Sequence, residues 1–279
     1  MINFANFLKL LMFLCVFLAC ACGEKQNYDE LMLKARKAHQ NGEEKLIIKS
    51  LNKAISEEPK REEAYGDLIN FYLNKEDYKN MFAVSDKFVK SAGTRAAYSY
   101  RGAASALSGD RDSALKDLKV IENLGSDSTL SLLDKASLNC FLGDYDKALF
   151  YTDALHKNLL AQGKPAAGIT SYFYTFINFE QARYAEALKA LDALQSPADD
   201  KNSSKYIFIN TWKAKINYAR GDYKKALFFA ENAVKIAELK KERAEDKSKL
   251  ICLGKIKTYS GEEANEIYLL AKQTLEEKS

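Results

Sequence analysis

The sequence predicts an all-α chain built as an α-solenoid of about seven helix–turn–helix pairs. Three observations carry this reading. A Gly-Asp step recurs, as in Gly143-Asp144-Tyr145-Asp146-Lys147-Ala148 and Gly221-Asp222-Tyr223-Lys224-Lys225-Ala226. Small apolar residues keep fixed distances from that step. Helix breakers are scarce, with three prolines and thirteen glycines in 279 residues, which favours helix over most of the length. A composition 47% hydrophobic and 29% charged can support a packed core and argues against wholesale disorder.

The steps align at Gly42, Glu76, Gly109, Gly143, Ala182, Gly221 and Gly261, with spacings of 34, 33, 34, 39, 39 and 40 residues. Units therefore start near residues 28, 62, 95, 129, 168, 207 and 247. Five residues after each step stand Ile47, Met81, Ala114, Ala148, Ala187, Ala226 and Glu266. Seven residues before it stand Ala35, Ile69, Gly102, Ala136, Thr175, Ala214 and Gly254. Most are small, as required where two helices approach closely. The glycine of each step should end a first helix in a left-handed turn, and the aspartate should cap the second. Within a second helix, Ala226, Ala230, Ala233 and Ala237 share one face. Each pair buries one stripe and needs the next pair to cover the rest. The last three units are longer, with loops expected over residues 160–165 and 196–204. Residues 264–279, rich in Glu and Lys, should close the stack with a polar face.

Two units, Tyr98…Gly102…Gly109-Asp110…Ala114 and Ala136…Gly143-Asp144…Ala148, resemble the tetratricopeptide repeat, a 34-residue helix-turn-helix unit. The resemblance covers residues 28–275 and implies a right-handed solenoid. The family's large-residue slot falls on Leu31, Tyr65, Tyr98, Leu132, Ser171, Asn210 and Leu250. The single tryptophan, Trp212, lies two places beyond that slot. The unit-ending proline is matched at Pro59, with Pro197 nearby. In such proteins the first helices line a concave groove that holds partner proteins or peptides. Carried over, the groove positions include Tyr172, Phe176 and Phe179 in one unit and Phe208, Lys215 and Tyr218 in the next. Aromatic residues at this spacing read either as core or as an exposed apolar groove that takes a peptide.

The N-terminus reads differently. Residues 1–21 combine one lysine with an uncharged run from Leu10 to Ala19. The run is shorter than the roughly 20 residues that span a bilayer and suits a secretory signal. It ends in Leu18-Ala19-Cys20-Ala21-Cys22, which resembles a bacterial lipobox and makes Cys20 or Cys22 the lipidated residue. Residues 22–27 then form a short tether. This places the chain in the bacterial cell envelope, lipid-anchored at the outer membrane with its solenoid in the periplasm. The two cysteines that remain after the signal, Cys140 and Cys252, fall in non-adjacent units and are expected to be unpaired.

Nothing in the sequence carries catalysis. His39 and His156 lie in non-adjacent units, and no metal-binding, nucleophile or phosphate-loop motif occurs. The reading is a non-enzyme without cofactor or metal. A net charge of +4 gives no case for nucleic acid. The expected role is an interaction scaffold or assembly factor that binds envelope proteins or peptides. The alternative is an accessory lipoprotein of a solute-uptake system, capturing a small hydrophobic molecule in the C-terminal half of the groove.

Overall fold

The computed structural model describes residues 27–125, 127–195, 204–240 and 261–278. The signal segment, Cys20, Cys22, residues 22–26 of the tether, Cys252 and the helix expected over 247–260 lie outside the described residues. The described residues form thirteen helices and no strand.

Contacts divide the chain into a unit ending at Ala64 and a unit beginning at Tyr65. The first unit holds α1 (Tyr28–Gln40) and α2 (Glu44–Glu57). Asn27 starts α1 as one half of a capping box with Glu30. The hairpin buries Leu31, Met32 and Ala35 of α1 with Ile47, Leu51, Ala54 and Ile55 of α2. Tyr28 anchors the segment that follows: its hydroxyl accepts the Ala64 N–H at 3.0 Å, and the Arg61 guanidinium lies 3.9 Å over its ring.

The division falls inside α3 (Glu62–Asn74), which α4 (Tyr78–Ala92) follows. Next come α5 (Arg95–Leu107) with α6 (Arg111–Asn123), and α7 (Thr129–Leu142) with α8 (Tyr145–Ala161). Then α9 (Ala167–Glu180) pairs with α10 (Tyr184–Asp192), and α11 (Ser204–Ala219) with α12 (Tyr223–Lys240). The last helix is α13 (Gly261–Glu277). From α4 to α13 each helix packs on its neighbours in the chain, and α5 also touches α7, as α11 touches α13. This nearest-neighbour order is that of an α-helical repeat solenoid.

The recurring step is the joint of each pair. Gly42, Glu76, Gly109, Gly143, Ala182 and Gly221 all have φ between 55° and 87°. The following N–H reaches back five residues to a carbonyl: Asp110 to Ser105, Asp144 to Asn139 and Asp222 to Asn217, each at 2.9 Å. That is a Schellman closure repeated in register. Asp77, Asp110 and Asp144 then cap the next helix, and Asp222 accepts the Lys225 N–H at 3.2 Å. The residues around the joint also keep their roles. Ile47, Met81, Ala114, Ala148, Ala187 and Ala226 are buried, as are Ala35, Ile69, Ala136, Thr175 and Ala214. At Gly102 the helices approach so closely that a Cβ would lie 3.1 Å from Leu138 and 3.2 Å from Asp117, tighter than ordinary packing contact.

The seventh unit departs from this register. Glu266, aligned with the buried small residues, is exposed. α13 instead turns Ala264, Ile267 and Ala271 inward, against α11 and α12.

Two joints carry a side chain where glycine is preferred. Glu76 and Ala182 hold φ of 55°, a left-handed conformation that costs an L-residue roughly 1–2 kcal/mol. Ala182→Gly is expected to raise stability by about 0.5–1 kcal/mol, the strain relieved exceeding the chain entropy that glycine loses. Urea unfolding followed by helical circular dichroism checks this, and Gly143→Ala is expected to move the midpoint the other way.

The caps also set an acid limit. Asp77, Asp110 and Asp222 are held below the usual carboxylate range, chiefly by side-chain hydrogen bonds from Asn80, Ser113 and Lys225. Their contribution is present above the unfolded carboxylate pKa and is lost as pH falls through the lower folded values. The melting temperature should therefore fall as pH drops below about 4, and Asp110→Asn should flatten that fall.

Candidate functional site

The α9 sequence, Ala-Gly-Ile-Thr-Ser-Tyr-Phe-Tyr-Thr-Phe-Ile-Asn-Phe-Glu, presents aromatic rings at Tyr172, Phe176 and Phe179. The next first helix, α11, presents Phe208 and Trp212 one turn apart. The two helices meet through these rings, with Trp212 at the centre. Its ring lies 5.3 Å from Phe179, 6.4 Å from Phe176 and 6.1 Å from Phe208. Tyr172 packs edge-on to Phe208 at 4.6 Å, and Tyr145 packs edge-on to Phe176 at 6.0 Å.

Burial sorts the six groove residues named from sequence. Phe176 is 4% exposed and Phe208 is fully buried. Both are core, closed off by the neighbouring rings, and neither lines an open groove. Tyr172, Phe179, Lys215 and Tyr218 are half-buried. Lys215 joins the cluster, its ammonium 4.6 Å from the Trp212 ring and 5.9 Å from Phe179. It forms an ion pair with Glu263 of α13. Tyr218 stands apart, packed with Ala214, Ala230 and Ile267 and 5.3 Å from the Tyr223 ring.

The surface left by this packing is therefore Tyr172, Phe179 and the Lys215 stem over a rigid floor. Lys213, held 2.8 Å from Asp192, is charge-compensated in the same way. With both lysines paired, the face offers aromatic edges and apolar area rather than a cationic clamp. Burial, and then the Glu180 carboxylate that accepts its proton, push the Tyr145 phenol up to about 12. That phenol stays a neutral donor through the physiological range.

Sequence reasoning passed over Trp212 because it falls outside the family's slot. The available signal was its place four residues after Phe208 and three before Lys215, on one helical face. The indole is 1% exposed, and its N–H finds no acceptor among the described residues.

Elsewhere, His39 is exposed and His156 half-buried. No group of three or more His, Cys, Asp or Glu among the described residues is arranged to hold a metal ion. Cys140 is buried as a thiol. No helix among the described residues is long and apolar enough to cross a membrane.

No protein-family model matches this sequence, and no curated protein matches it. Among solved structures the chain is similar to a tetratricopeptide repeat protein from Parabacteroides merdae. The two are 16% identical over 90% of this chain and 100% of that one, with a TM-score of 0.48. The fold assignment rests on the helix pairs themselves.

Proposed function

We propose that this chain is a lipid-tethered interaction scaffold of the bacterial cell envelope, with no chemistry of its own. The observation that carries the proposal is the half-buried row of Tyr172, Phe179 and Lys215 over the packed Phe176–Phe208–Trp212 floor. Exposed aromatic edges on a rigid base bind apolar side chains of a partner with little ordering cost. The lipobox-like Leu18-Ala19-Cys20-Ala21-Cys22 supports the tether. The alternative, capture of a hydrophobic solute at Phe176 and Phe208, is disfavoured because neighbouring rings occupy that space.

A photo-crosslinking residue placed at Tyr172 or Phe179 in the native envelope is expected to capture one defined protein. The same probe at Glu231, exposed on α12, should capture none. Equal capture at all three positions removes the scaffold surface from this face. Acyl-chain labelling tests the tether separately: it should vanish in a Cys20→Ala/Cys22→Ala variant, and persistence there rules the lipid anchor out.

A further inference from the structure

Ser171 stands where the four preceding helix pairs place a large side chain. Those positions hold Leu31, Tyr65, Tyr98 and Leu132, and the next pair has Asn210; Leu31, Tyr65 and Leu132 are buried. A serine leaves most of that volume unfilled. At this point a groove of about 240 Å³ opens between α8, α9 and α10. Its lining includes His156, Ser171, Tyr174, Asn178, Glu186 and Lys189, with alanines of α9 and α10 between them.

Two of these groups are polar and belong to residues more than nine-tenths buried. Ser171 is 3% exposed and Asn178 is 8% exposed. Neither side chain has a hydrogen-bond partner among the described residues, and both line the groove. The contrast with the neighbouring repeats is informative. Asn139 and Asn217, in the same register, fold their carboxamides back onto the Lys135 and Lys213 carbonyls at 2.8 and 2.7 Å. Asn178 leaves its donor and acceptor to the groove, where solvent or a ligand can bond to them.

The charged groups at the rim are equally uncommitted. Glu186 and Lys189 lie three residues apart on α10, yet neither forms an ion pair among the described residues. His156 joins the rim with its Nδ1 2.9 Å from the Thr170 hydroxyl.

We propose that this groove binds a single free α-amino acid with an apolar side chain. Lys189 Nζ, the Asn178 amide N–H and the Ser171 hydroxyl take the carboxylate. The Glu186 carboxylate takes the ammonium. The Tyr174 ring and the alanine walls take the side chain. The volume suits one amino acid and falls below that of pockets for drug-sized ligands. The site is separate from the aromatic row of the proposed scaffold and does not depend on it.

Isothermal titration of the purified protein with L-leucine, L-methionine and L-phenylalanine tests the assignment. At least one should bind with one-to-one stoichiometry. For leucine as the binder, 4-methylpentanoate, which lacks the ammonium, and 3-methylbutylamine, which lacks the carboxylate, should each bind at least tenfold more weakly. Ser171→Leu fills the slot as Leu31 and Leu132 do in their pairs, so it should abolish binding while melting no lower than wild type. Lys189→Met, at an exposed position, should weaken leucine about tenfold and leave 3-methylbutylamine unchanged. Absence of binding by all three amino acids overturns the proposal. So does binding that survives Ser171→Leu, or an amine-only analogue that binds as tightly as leucine.

Discussion

Trp212→Ala is expected to lower the unfolding free energy by about 3–5 kcal/mol, the range for deleting a large aromatic side chain from a core. The indole is 1% exposed and holds Phe176, Phe179 and Phe208 in mutual edge contacts. Its removal leaves a cavity between α9 and α11 that stiff helices cannot close. Trp212→Phe keeps a ring and deletes an N–H that has no acceptor among the described residues, so its cost should be well under half as large. Chemical denaturation followed by helical circular dichroism measures both. Equal losses in the two variants would show that the indole N–H, rather than the ring packing, carries the effect. The same pair of variants informs the scaffold proposal, because a collapsed floor should also abolish crosslinking at Tyr172 and Phe179.

The second large effect is expected at Arg101. Its guanidinium bonds both Asp117 oxygens, at 3.0 and 2.7 Å, and Asp86 at 2.8 Å. The Asp117 side chain is 4% exposed. Hydrogen bonds accepted by Asp117, and to a lesser degree by Asp86, raise the guanidinium pKa further, so the cation persists at any working pH. Arg101→Leu strands a buried carboxylate and should cost about 3–5 kcal/mol. Arg101→Leu/Asp117→Leu removes both charges and should recover most of that loss, because a buried pair often contributes little beyond an apolar replacement. If the double variant is no more stable than the single one, the stranded charge is not the cause. Acid should erode this cluster as well. Asp86 is held low, first by the Lys90 hydrogen bond and then, against desolvation, by Arg101. Its contribution is therefore present at neutral pH and lost as pH falls below the ordinary carboxylate range.

The repeat was legible because its joint is a local event. A left-handed turn, a capping carboxylate and a small residue at a close approach all follow from neighbouring residues in the chain. The spacing of Gly143, Asp144 and Ala148 was enough to place the end of α7, the cap of α8 and their buried contact. The joint at Ala182-Arg183 was legible only by alignment, since neither glycine nor aspartate marks it, and the backbone keeps φ at 55° there regardless. Tertiary packing overrides local preference when the flanking helices are already committed.

The candidate site was legible in composition and not in exposure. Tyr172, Phe176, Phe179 and Phe208 were visible as an aromatic concentration. Which rings face outward depends on how α11 rotates against α9, and Trp212 settles that rotation by occupying the centre. Lys215 was named only as a groove position, and Glu263, 48 residues along the chain, compensates its charge. The groove at Ser171 was written in the sequence as a missing large residue. It became meaningful only with His156 and Lys189 brought beside it from other helices.

The sequence alone therefore determined the joints from Gly42 to Gly221, the class of fold and the small residues that let helices close, because each depends on spacing along one chain. The tertiary structure decided which aromatic side chains are core, which lysine is compensated and where buried polar groups go unsatisfied. Those outcomes depend on helix rotation and on contacts between distant residues, which no local pattern records.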